Sequence, residues 1–593
     1  MSPEHGGSII GGVLARHGIK FLFTLCGGHI SPILVGAKAH GLRVIDMRDE
    51  ANTVFAADAV ARMTGLVGVA AVTAGPGVTN TVTAVKNAQM AQSPVLLFGG
   101  ATATILKGRG SLQDIDQLSI MRPITKWAIS VSQLAALAGT VEEALARAQH
   151  GVPGPVFVEV PVDLLYGEEM VRTMIFKEAG VDHPKTLPAK ALRLYLEGHL
   201  YKQFRAPALP SLHAELRLPR FDELTTSVPP LPRDTDGQVR AVADKLATAE
   251  RPVLVLGSQA LVACKEPGRL AAAVRALGIP VYLGGMARGL LGRHDALQFR
   301  HARGKALKEA DLVIIAGFPF DFRLGYGRGF GKAQLVAANL SARELRKNRR
   351  PDLAVRMHPG EFLQALAAVI ATPAGVGRRD AWFTTLRERE AARDGEIAAQ
   401  AAAPAQLVNP LAFFLRLEEK LADDAVLVVD GGDFVATASY VLRPRGPLSW
   451  LDPGVFGTLG VGGGFATGAA LCHPGREIWL IYGDGSSAYT LSEFDTYARH
   501  GLAPIAVIGN DGAWAQIARE QVDMLGDDVG TVLARCDYHK VAEGYGGVGL
   551  LLNDPAKIDA TLDRAKALAR EGKPVCINLH LGRSDFRKGS MSM

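Results

Sequence analysis

The stretch "IYGDGSSAYTLSEFDTYARHGLAPIAVIGNDGAW", from Ile481 to Trp514, contains two apolar runs, each followed by a glycine-rich polar turn. The first turn carries Asp484 and the second carries Asn510, twenty-six positions later. Short apolar runs closed by glycine are typical of buried parallel strands. Because the carboxyl ends of parallel strands lie along one edge of a sheet, Asp484 and Asn510 are predicted to approach each other there.

The polar groups of these two turns are hard oxygen donors. The carboxylate of Asp484, the amide oxygen of Asn510 and the backbone carbonyl of Gly512 suit magnesium or calcium and not zinc. Magnesium usually bridges protein oxygens to ligand phosphates, and glycines allow backbone N–H groups to approach such phosphates. A single Gly-Asp-Gly is usually only a turn, but the pair of turns predicts a magnesium and phosphate site.

The rest of the chain repeats this strand-and-helix pattern. At 593 residues it is too long for one core, and its Val/Ile/Leu runs closed by glycine alternate with helical stretches. Residues 69–100 and 478–510 share one layout, namely a strand, a Gly-x-Gly loop, a helix, and a proline before the next strand. The sequence therefore predicts an α/β fold of three domains with mainly parallel sheets, two of them duplicated.

Proline-rich and alanine-rich stretches mark the predicted domain boundaries. We predict, in order, a first domain, a linker with an amphipathic helix, a central domain, a second linker, and a last domain with a C-terminal tail: residues 1–183, 184–235, 236–372, 373–406 and 407–593.

The first linker contains "KALRLYLEGHLYKQF", with apolar residues at helical spacing. The stripe consists of Leu192, Tyr195, Leu196, Leu200 and Phe204, although Gly198 weakens the expectation of a continuous helix. Such a helix either packs on its own protein or docks on a membrane surface or a partner.

Composition excludes several classes of protein. The net charge of +6 is small and diffuse, so no nucleic-acid partner is expected. The five cysteines are scattered without a CxxC motif, which favours reduced thiols and a cytoplasmic location over a zinc or disulfide framework. The first ten residues lack the pattern of a signal peptide, and no apolar run is long enough to span a bilayer.

The spacing of the two turns is similar to the GDG…N signature of thiamine diphosphate (ThDP) enzymes. The resemblance spans nearly the whole chain and implies a pyrimidine-binding, a central and a diphosphate-binding domain. It also implies that Asp484, Asn510 and the Gly512 carbonyl hold magnesium against the diphosphate. The family often has Asn-Asn at the second turn, whereas this chain has Gly509-Asn510.

The segment "VIDMRDEANTVFAADAVAR" resembles the family's Arg-His-Glu stretch, with Asp49 in place of the histidine. By resemblance, Glu50 hydrogen-bonds the aminopyrimidine ring of the cofactor and promotes deprotonation of its reactive carbon. This role leads us to expect Glu50 to be buried against apolar groups, which would keep it protonatable near neutral pH.

Three further segments resemble cofactor-binding stretches of the family. "TAGPGVTN" lies beside the cofactor, "DPGVFGTLGVG" carries a wedge residue, Leu459, and a carbonyl, that of Gly457, and "VVDGGDF" offers backbone N–H groups to the diphosphate. The cofactor contacts implied in these segments and around the two turns are Pro76, Asn80, Gly432, Asp433, Phe434, Gly457, Leu459, Gly483, Asp484, Gly485, Ser486, Asn510, Gly512, Ala513 and Trp514.

Two side chains distinguish branches of the family. His29, in "LCGGHISPIL", matches a histidine of several lyases and could move a proton of a substrate hydroxyl, although it could instead cap the following helix. Gln113, in "GRGSLQDIDQLS", resembles an acetolactate synthase glutamine that would polarise a carbonyl. Together with Glu50, these residues form the predicted catalytic set.

Overall the chain resembles the acetolactate-synthase-like branch that includes 2-hydroxyacyl-CoA lyases. That likeness implies cleavage of a 2-hydroxyacyl-CoA to formyl-CoA and an aldehyde, or the reverse carboligation. Acetolactate synthase or another 2-keto-acid carboligase is the alternative, and a non-catalytic ThDP-fold protein is a third. The likeness also implies ThDP and Mg²⁺, ADP or a CoA nucleotide in the central domain, and a homodimer or homotetramer with active sites between subunits; FAD is not expected.

Overall fold

A computed structural model describes residues 5–205, 235–370, 377–582, 584 and 586–588. These residues form two compact units. The first contains the described residues up to 61 and those from 66 to 205, and the second contains residues 62–65 and those from 235 onward.

The first unit is built on a six-stranded parallel sheet with the strand order β2-β1-β3-β4-β6-β5. Strands β3 and β4 are fully buried, as their continuous apolar sequences require of strands covered on both faces. The strands are β1 (Phe21–Leu25), β2 (Arg43–Asp46), β3 (Gly68–Val72), β4 (Val95–Ala101), β5 (Trp127–Ser130) and β6 (Val156–Pro161).

Nine helices of the described residues belong to this unit, and they alternate with its strands or follow them in the chain. They are α1 (Gly6–Arg16), α2 (Ser31–Ala39), α3 (Glu50–Thr64), α4 (Pro76–Asn80), α5 (Val82–Ala91), α6 (Gln117–Met121), α7 (Leu134–Gln149), α8 (Glu168–Glu178) and α9 (Leu187–Phe204).

The central domain lies in the second unit and has the strand order β12-β11-β10-β7-β8-β9. The order reverses between β7 and β10, the arrangement of doubly wound nucleotide-binding folds. Its strands are β7 (Pro252–Leu256), β8 (Val281–Leu283), β9 (Gln298–Phe299), β10 (Leu312–Ala316), β11 (Gln334–Ala338) and β12 (Leu353–Val355). Its helices are α10 (Thr235–Thr248), α11 (Pro267–Ala276), α12 (Arg303–Glu309) and α13 (Pro359–Val369), followed by α14 (Asp380–Ala401).

The last domain contains the third parallel sheet, with the order β14-β13-β15-β16-β18-β17. Its strands are β13 (Val426–Asp430), β14 (Trp450–Leu451), β15 (Ile478–Gly483), β16 (Ile505–Asn510), β17 (Val548–Leu552) and β18 (Val575–His580). Its helices are α15 (Pro410–Lys420), α16 (Asp433–Val441), α17 (Gly462–Cys472), α18 (Asp484–Ser487), α19 (Glu493–His500), α20 (Ala515–Leu525), α21 (Tyr538–Gly544) and α22 (Ile558–Arg570).

The first and third sheets have the same topology. Numbered from the first strand of each, both run 2-1-3-4-6-5, so β3 and β4 correspond to β15 and β16. These are the strands whose sequences share a layout. The predicted fold class, three α/β domains with parallel sheets, is confirmed.

The linker helix differs from its predicted form. It runs continuously through Gly198, and Leu196 and Leu200 are buried against a small cluster that includes Val171 and Phe176. Tyr195 and Leu192, placed in the same apolar stripe by the sequence, are instead 59% and 42% exposed, so the stripe is only partly buried. Residues 206–234 of this linker lie outside the described residues.

The second predicted linker, residues 373–406, contains α14, a helix of 22 residues that the alanine-rich sequence did not indicate. Residues 371–376 lie outside the described part. Of the predicted C-terminal tail, only residues 584 and 586–588 are described. Within the described ranges, no helix has the length and apolar character needed to cross a membrane.

Candidate active site

In the second unit, the predicted site residues lie where four neighbouring strands end. Gly432 follows β13, Leu459 follows β14, Asp484 follows β15, and Asn510 is the last residue of β16. Because these strands are adjacent and parallel, their carboxyl ends bring the four loops to one edge of the sheet.

Asp484 and Asn510 are both buried, and their oxygens have the hydrogen-bonding pattern of a cation site. The Asp484 carboxylate accepts hydrogen bonds from the backbone N–H groups of Gly485 and Gly512, both at 2.8 Å. The side-chain N–H₂ of Asn510 donates to the Cys536 carbonyl and to Asn578 Oδ1. Its Oδ1 atom is buried without a hydrogen-bond partner. A buried amide oxygen without a donor is suited to bind a metal ion.

The electrostatics of this edge also favour a cation. Burial raises the pKa of the Asp484 carboxyl, and burial together with the charge of Asp484 raises the pKa of Asp511 to about 7. The Gly512 carbonyl already accepts a hydrogen bond from Leu533 N–H at 2.8 Å. A carbonyl oxygen has two lone pairs, so one remains for a metal. The donor set therefore fits magnesium.

The loop after β13 leads into α16, whose first residues contact helix α20 and strand β16. The Asp433 carboxylate forms a two-pronged ion pair with Arg519 of α20, one contact of which measures 2.9 Å. This pairing neutralises a negative charge close to the predicted diphosphate position. The ring of Phe434 lies against Gly509, where an added Cβ would be 2.4 Å from the ring. Phe434 thus fills the space that a side chain would need at position 509.

The Gly509 contact gives a stability prediction. Replacing Gly509 with Asn is expected to destabilise the protein by about 1–3 kcal/mol, because the new side chain overlaps the Phe434 ring. Denaturant unfolding of the single variant and of Gly509→Asn/Phe434→Ala measures the effect. The double variant is expected to recover part of the loss, since the ring is removed. Strictly additive losses would contradict this account of the contact.

A buried carboxyl that the sequence did not single out orders the wedge loop. Asp430, at the end of β13, accepts hydrogen bonds from the N–H groups of Gly460 (3.1 Å) and Gly462 (2.8 Å). Burial raises its pKa to about 7, opposed by these N–H groups. Leu459, directly before Gly460, is half-buried, and Gly457 is exposed with a φ of +66°. Asp430 thus fixes the backbone that presents the predicted wedge.

Other residues predicted to contact the cofactor make contacts within the protein. The Trp514 indole lies over Gly485, since an added Cβ there would be 2.3 Å from the ring. The Ser486 hydroxyl donates to the Asp430 carbonyl at 2.6 Å and to the Gly483 carbonyl at 3.0 Å. Ala513 N–H is directed to Asp511 Oδ1 at 3.2 Å.

In the first unit, Glu50 lies at the start of α3, after β2. Its Oε2 atom accepts a hydrogen bond from the Asn80 side chain at 3.1 Å, so the structure brings these two predicted residues together. Asn80 and Pro76 are exposed. Glu50 is half-buried in this chain, not enclosed by apolar groups as expected, because it stands at the open edge of the sheet. Asp49 accepts a hydrogen bond from Asn52 N–H at 3.0 Å and caps α3, as short acidic residues often do.

His29 and Gln113 meet through Thr73, which the sequence analysis did not single out. Thr73 Oγ1 lies 3.3 Å from His29 Nδ1 and 3.5 Å from Gln113 Oε1. Gly100, at the end of β4, provides the room, because an added Cβ would lie 2.6 Å from the His29 side chain. Burial lowers the pKa of His29, and its hydrogen bond with Gln113 opposes that shift. The imidazole is therefore neutral at pH 7.

Gln117, four residues after Gln113, has a different role. It is buried, accepts a hydrogen bond from Gly75 N–H at 2.8 Å, and donates to the Gly100 carbonyl and to Glu159. These contacts join the loop after β3 to strands β4 and β6. Gln113 is half-buried with a φ of +62°, in the left-handed region that non-glycine residues rarely occupy. Gln113 and Gln117 lie in one segment, and the sequence does not indicate which of the two side chains is buried.

Comparisons with known proteins agree with this arrangement. Three family profiles match the chain, described as the N-terminal TPP binding domain (residues 4–120), the central domain (239–366) and the C-terminal TPP binding domain (430–579) of thiamine pyrophosphate enzymes. Similar proteins include "2-hydroxyacyl-CoA lyase 2" of Danio rerio, 47% identical over all of this chain and 94% of the relative. The human protein of that name is 46% identical over all of this chain and 92% of its own length.

A more distant similarity is to "Acetolactate synthase large subunit IlvG" of Mycobacterium tuberculosis, 33% identical over 97% of this chain and 95% of the relative. Profiles for all three domains occur in the expected order, and the similarity extends along the full chain. The resemblance inferred from the sequence is confirmed. The chain belongs to the thiamine pyrophosphate enzyme family.

Proposed function

We propose that this protein is a thiamine diphosphate- and magnesium-dependent carbon–carbon lyase. It cleaves a 2-hydroxyacyl-CoA into formyl-CoA and an aldehyde, and it joins the same two compounds in reverse. The observation that carries the proposal is the 46–47% identity, over the whole chain, to relatives named 2-hydroxyacyl-CoA lyase 2, against 33% for the acetolactate synthase. The His29–Thr73–Gln113 contact supports it, since the cleavage requires removal of a hydroxyl proton.

The second unit supplies the anchoring groups. Asp484, Asn510 and the Gly512 carbonyl would hold Mg²⁺, and the N–H groups of residues 432–434 would hold the diphosphate. When bound, thiamine diphosphate supplies a nucleophilic carbon and accepts the electron pair released when the carbon–carbon bond breaks. The ion pair of Asp433 with Arg519 prevents a carboxylate from repelling the diphosphate.

Glu50 would exchange a proton with the aminopyrimidine ring of the bound cofactor, and Asn80 orients the Glu50 carboxyl through the 3.1 Å hydrogen bond. This role would account for the position of the Glu50 carboxyl, which lies at an open sheet edge and not in a surface ion pair.

His29 removes the hydroxyl proton of the substrate in the cleavage direction. We assign its Nδ1–H as the donor to Thr73, which leaves Nε2 as the base. As this proton leaves, the C1–C2 bond breaks and C2 becomes the aldehyde carbon. C1 keeps the CoA sulfur and takes up one proton in place of its bond to C2, so it becomes the formyl carbon and the proton count balances. Gln113 donates from its side-chain amide to the thioester oxygen. In the reverse direction His29 returns the proton to the new hydroxyl group.

The neutral state of His29 gives a pH prediction. Because the base must be unprotonated and burial lowers the pKa of His29 from 6.5, kcat/KM for cleavage should rise with pH, with the midpoint of the rise below pH 6.5. His29→Gln is expected to lower kcat/KM by about 100- to 10,000-fold and to abolish this acid limb. Measuring kcat/KM of the native protein and of His29→Gln between about pH 5 and 8 tests both the acid limb and its loss. If His29→Gln kept the same acid limb, another group would be the base.

We further propose a homodimer or homotetramer in which Glu50 of one chain and Asp484 of another complete each site. Exposed apolar surface supports this. Helix α20, beside the metal loop, has no buried residue. Its Ile517, Met524 and Leu525 are 49%, 58% and 77% exposed. Contiguous apolar surface of this kind usually marks an interface. A fully active monomer on dilution would contradict the proposal.

We also propose a nucleotide in the central domain, a cytoplasmic location and peripheral contact with a membrane surface. The doubly wound central domain supports a nucleotide such as ADP or that of CoA. The five free cysteines support a reducing, cytoplasmic compartment. Exposed Leu194 and Tyr195 on α9 allow peripheral contact with a membrane surface.

Product analysis distinguishes the lyase from acetolactate synthase. Purified protein with ThDP and Mg²⁺ is given a 2-hydroxyacyl-CoA and, in a separate reaction, pyruvate, and products are identified by mass spectrometry. Aldehyde and formyl-CoA from the thioester, with pyruvate unchanged, are expected. Acetolactate from pyruvate, with the thioester intact, would overturn the proposal.

A further inference from the structure

A cavity of about 350 Å³ lies within the second unit, between the central domain and the end of α16. The central domain contributes the loops after β8 and β9, with three arginines, and the last domain contributes the residues that end α16. The groups that line it and are used below are Arg288, Arg300, Arg303, Ser439, Tyr440 and Leu442.

Arg300 forms hydrogen bonds with four consecutive carbonyls at the end of α16. Its guanidinium donates to Tyr440 O at 2.9 Å, Leu442 O at 3.0 Å, Ser439 O at 3.2 Å and Val441 O at 3.4 Å. The last carbonyls of a helix have no partner within it and form the negative end of its dipole. The Arg300 guanidinium, which belongs to the central domain, therefore supplies hydrogen-bond donors to the unpaired carbonyls at the end of α16.

Arg288 reinforces the same end. It donates to the Ser439 carbonyl at 3.0 Å, and its guanidinium lies over the Trp450 ring at 5.0 Å. Burial lowers the pKa of Arg300 to about 10, with smaller contributions from Arg443 and Arg288. Arg300 therefore stays charged at neutral pH. Because its N–H groups are directed at carbonyls, Arg300 acts on α16 and not as a free ligand of an anion.

The other end of α16 reaches the candidate cofactor site. This nine-residue helix is about 13 Å long and begins at Asp433. Asp433 pairs with Arg519, and Phe434 packs on Gly509, the residue before the predicted metal ligand Asn510. A packed helix moves as a unit, so the position of its last turn sets the position of its first.

We propose that Arg300, with Arg288, is a positioning residue for thiamine diphosphate: the central domain holds the last turn of α16 so that its first turn meets the diphosphate. The inference rests on the proposed function, since it takes Gly432–Phe434 as the diphosphate-binding segment. The central domain would then contribute to the affinity for ThDP even when no nucleotide is bound to it.

The test measures the Kd of ThDP at saturating Mg²⁺ by quenching of tryptophan fluorescence, together with kcat at saturating ThDP. Arg300→Met is expected to raise Kd by at least about tenfold, since a charge and a set of hydrogen bonds to the helix end are lost. At saturating ThDP, kcat should return to within about twofold of the native value, because the reacting groups are unchanged.

Arg303→Met is the matched control, because Arg303 lines the same cavity but donates to Arg323 O at 2.7 Å, within the central domain. Its Kd should stay within about twofold of the native value. If Arg300→Met does not fold, Arg300→Lys is tested in its place. Lysine keeps the positive charge but lacks the planar set of N–H donors of the guanidinium. The Kd of ThDP should therefore still rise at least about threefold.

Three results would overturn the inference: a native Kd in the Arg300 variant, an equal rise in Arg303→Met, or a kcat that stays low at saturating ThDP. Failure of the native protein to bind ThDP would instead refute the proposed function.

Discussion

Replacing Glu50 with Gln is expected to lower kcat for cleavage by about 100- to 10,000-fold, the range for loss of a positioned acid–base group. The amide keeps the size of the side chain and an oxygen that can accept from Asn80, which donates to Glu50 at 3.1 Å. It cannot exchange a proton with the cofactor. The loss should therefore appear in kcat at saturating ThDP, whereas the Kd of ThDP should change by less than about tenfold.

The control is Glu142→Gln, which makes the same chemical change at an exposed carboxylate that pairs with Arg16 on the surface. Surface pairs of this kind contribute little, so both kcat and ThDP affinity should stay at native values. A Glu50→Gln variant with full kcat would show that this carboxyl is not part of the chemistry, although the family assignment would stand.

The second large effect is expected at the metal site. Asp484→Asn should weaken ThDP binding in the presence of Mg²⁺ by at least about 100-fold, the upper range for disturbing partners of metal ligands. The charge that binds the cation is removed while the shape is kept. Burial raises the pKa of the Asp484 carboxyl, so removing its charge offsets part of the cost of losing one of the two N–H hydrogen bonds that the carboxylate accepts. The metal-free variant should therefore melt only slightly below the native protein.

Isothermal titration calorimetry and thermal melts without cofactor separate these two effects. Asp523→Asn, an exposed carboxylate on α20, is the control and should bind ThDP normally. A large fall in the melting temperature of the metal-free variant, in step with the loss of cofactor affinity, would indicate a structural role for Asp484. Native affinity would exclude it as a metal ligand.

The sequence was sufficient to predict the fold class because its signals are local. Apolar runs closed by glycine mark each parallel strand, and residues at strand ends share one edge of a sheet by topology alone. The same topology places Asp484 and Asn510 at the ends of neighbouring strands, and it makes β3 and β4 correspond to β15 and β16. Glu50, His29 and Gln113 required the family resemblance as well, since an isolated polar residue at a strand end carries little information.

The sequence does not indicate the role of a residue when that role depends on partners far away in the chain. Thr73, Gln117 and Asp430 look ordinary in the chain, and only tertiary contacts reveal that each joins separate segments of it. Gly509, a departure from the family pattern, is explained by the Phe434 ring, 75 residues earlier. The sequence predicts that Glu50 is enclosed by apolar groups, but in the structure it is half-buried, because it lies at the open edge of the first sheet.

The most direct test of the account follows the carbons of the broken bond. A 2-hydroxyacyl-CoA labelled with ¹³C at the thioester carbonyl is incubated with the protein, ThDP and Mg²⁺, and both products are analysed by mass spectrometry. The account predicts that the label is found in formyl-CoA and that the aldehyde is unlabelled and one carbon shorter than the acyl chain. Label in the aldehyde, or free CoA with an intact 2-hydroxy acid, would contradict cleavage between C1 and C2.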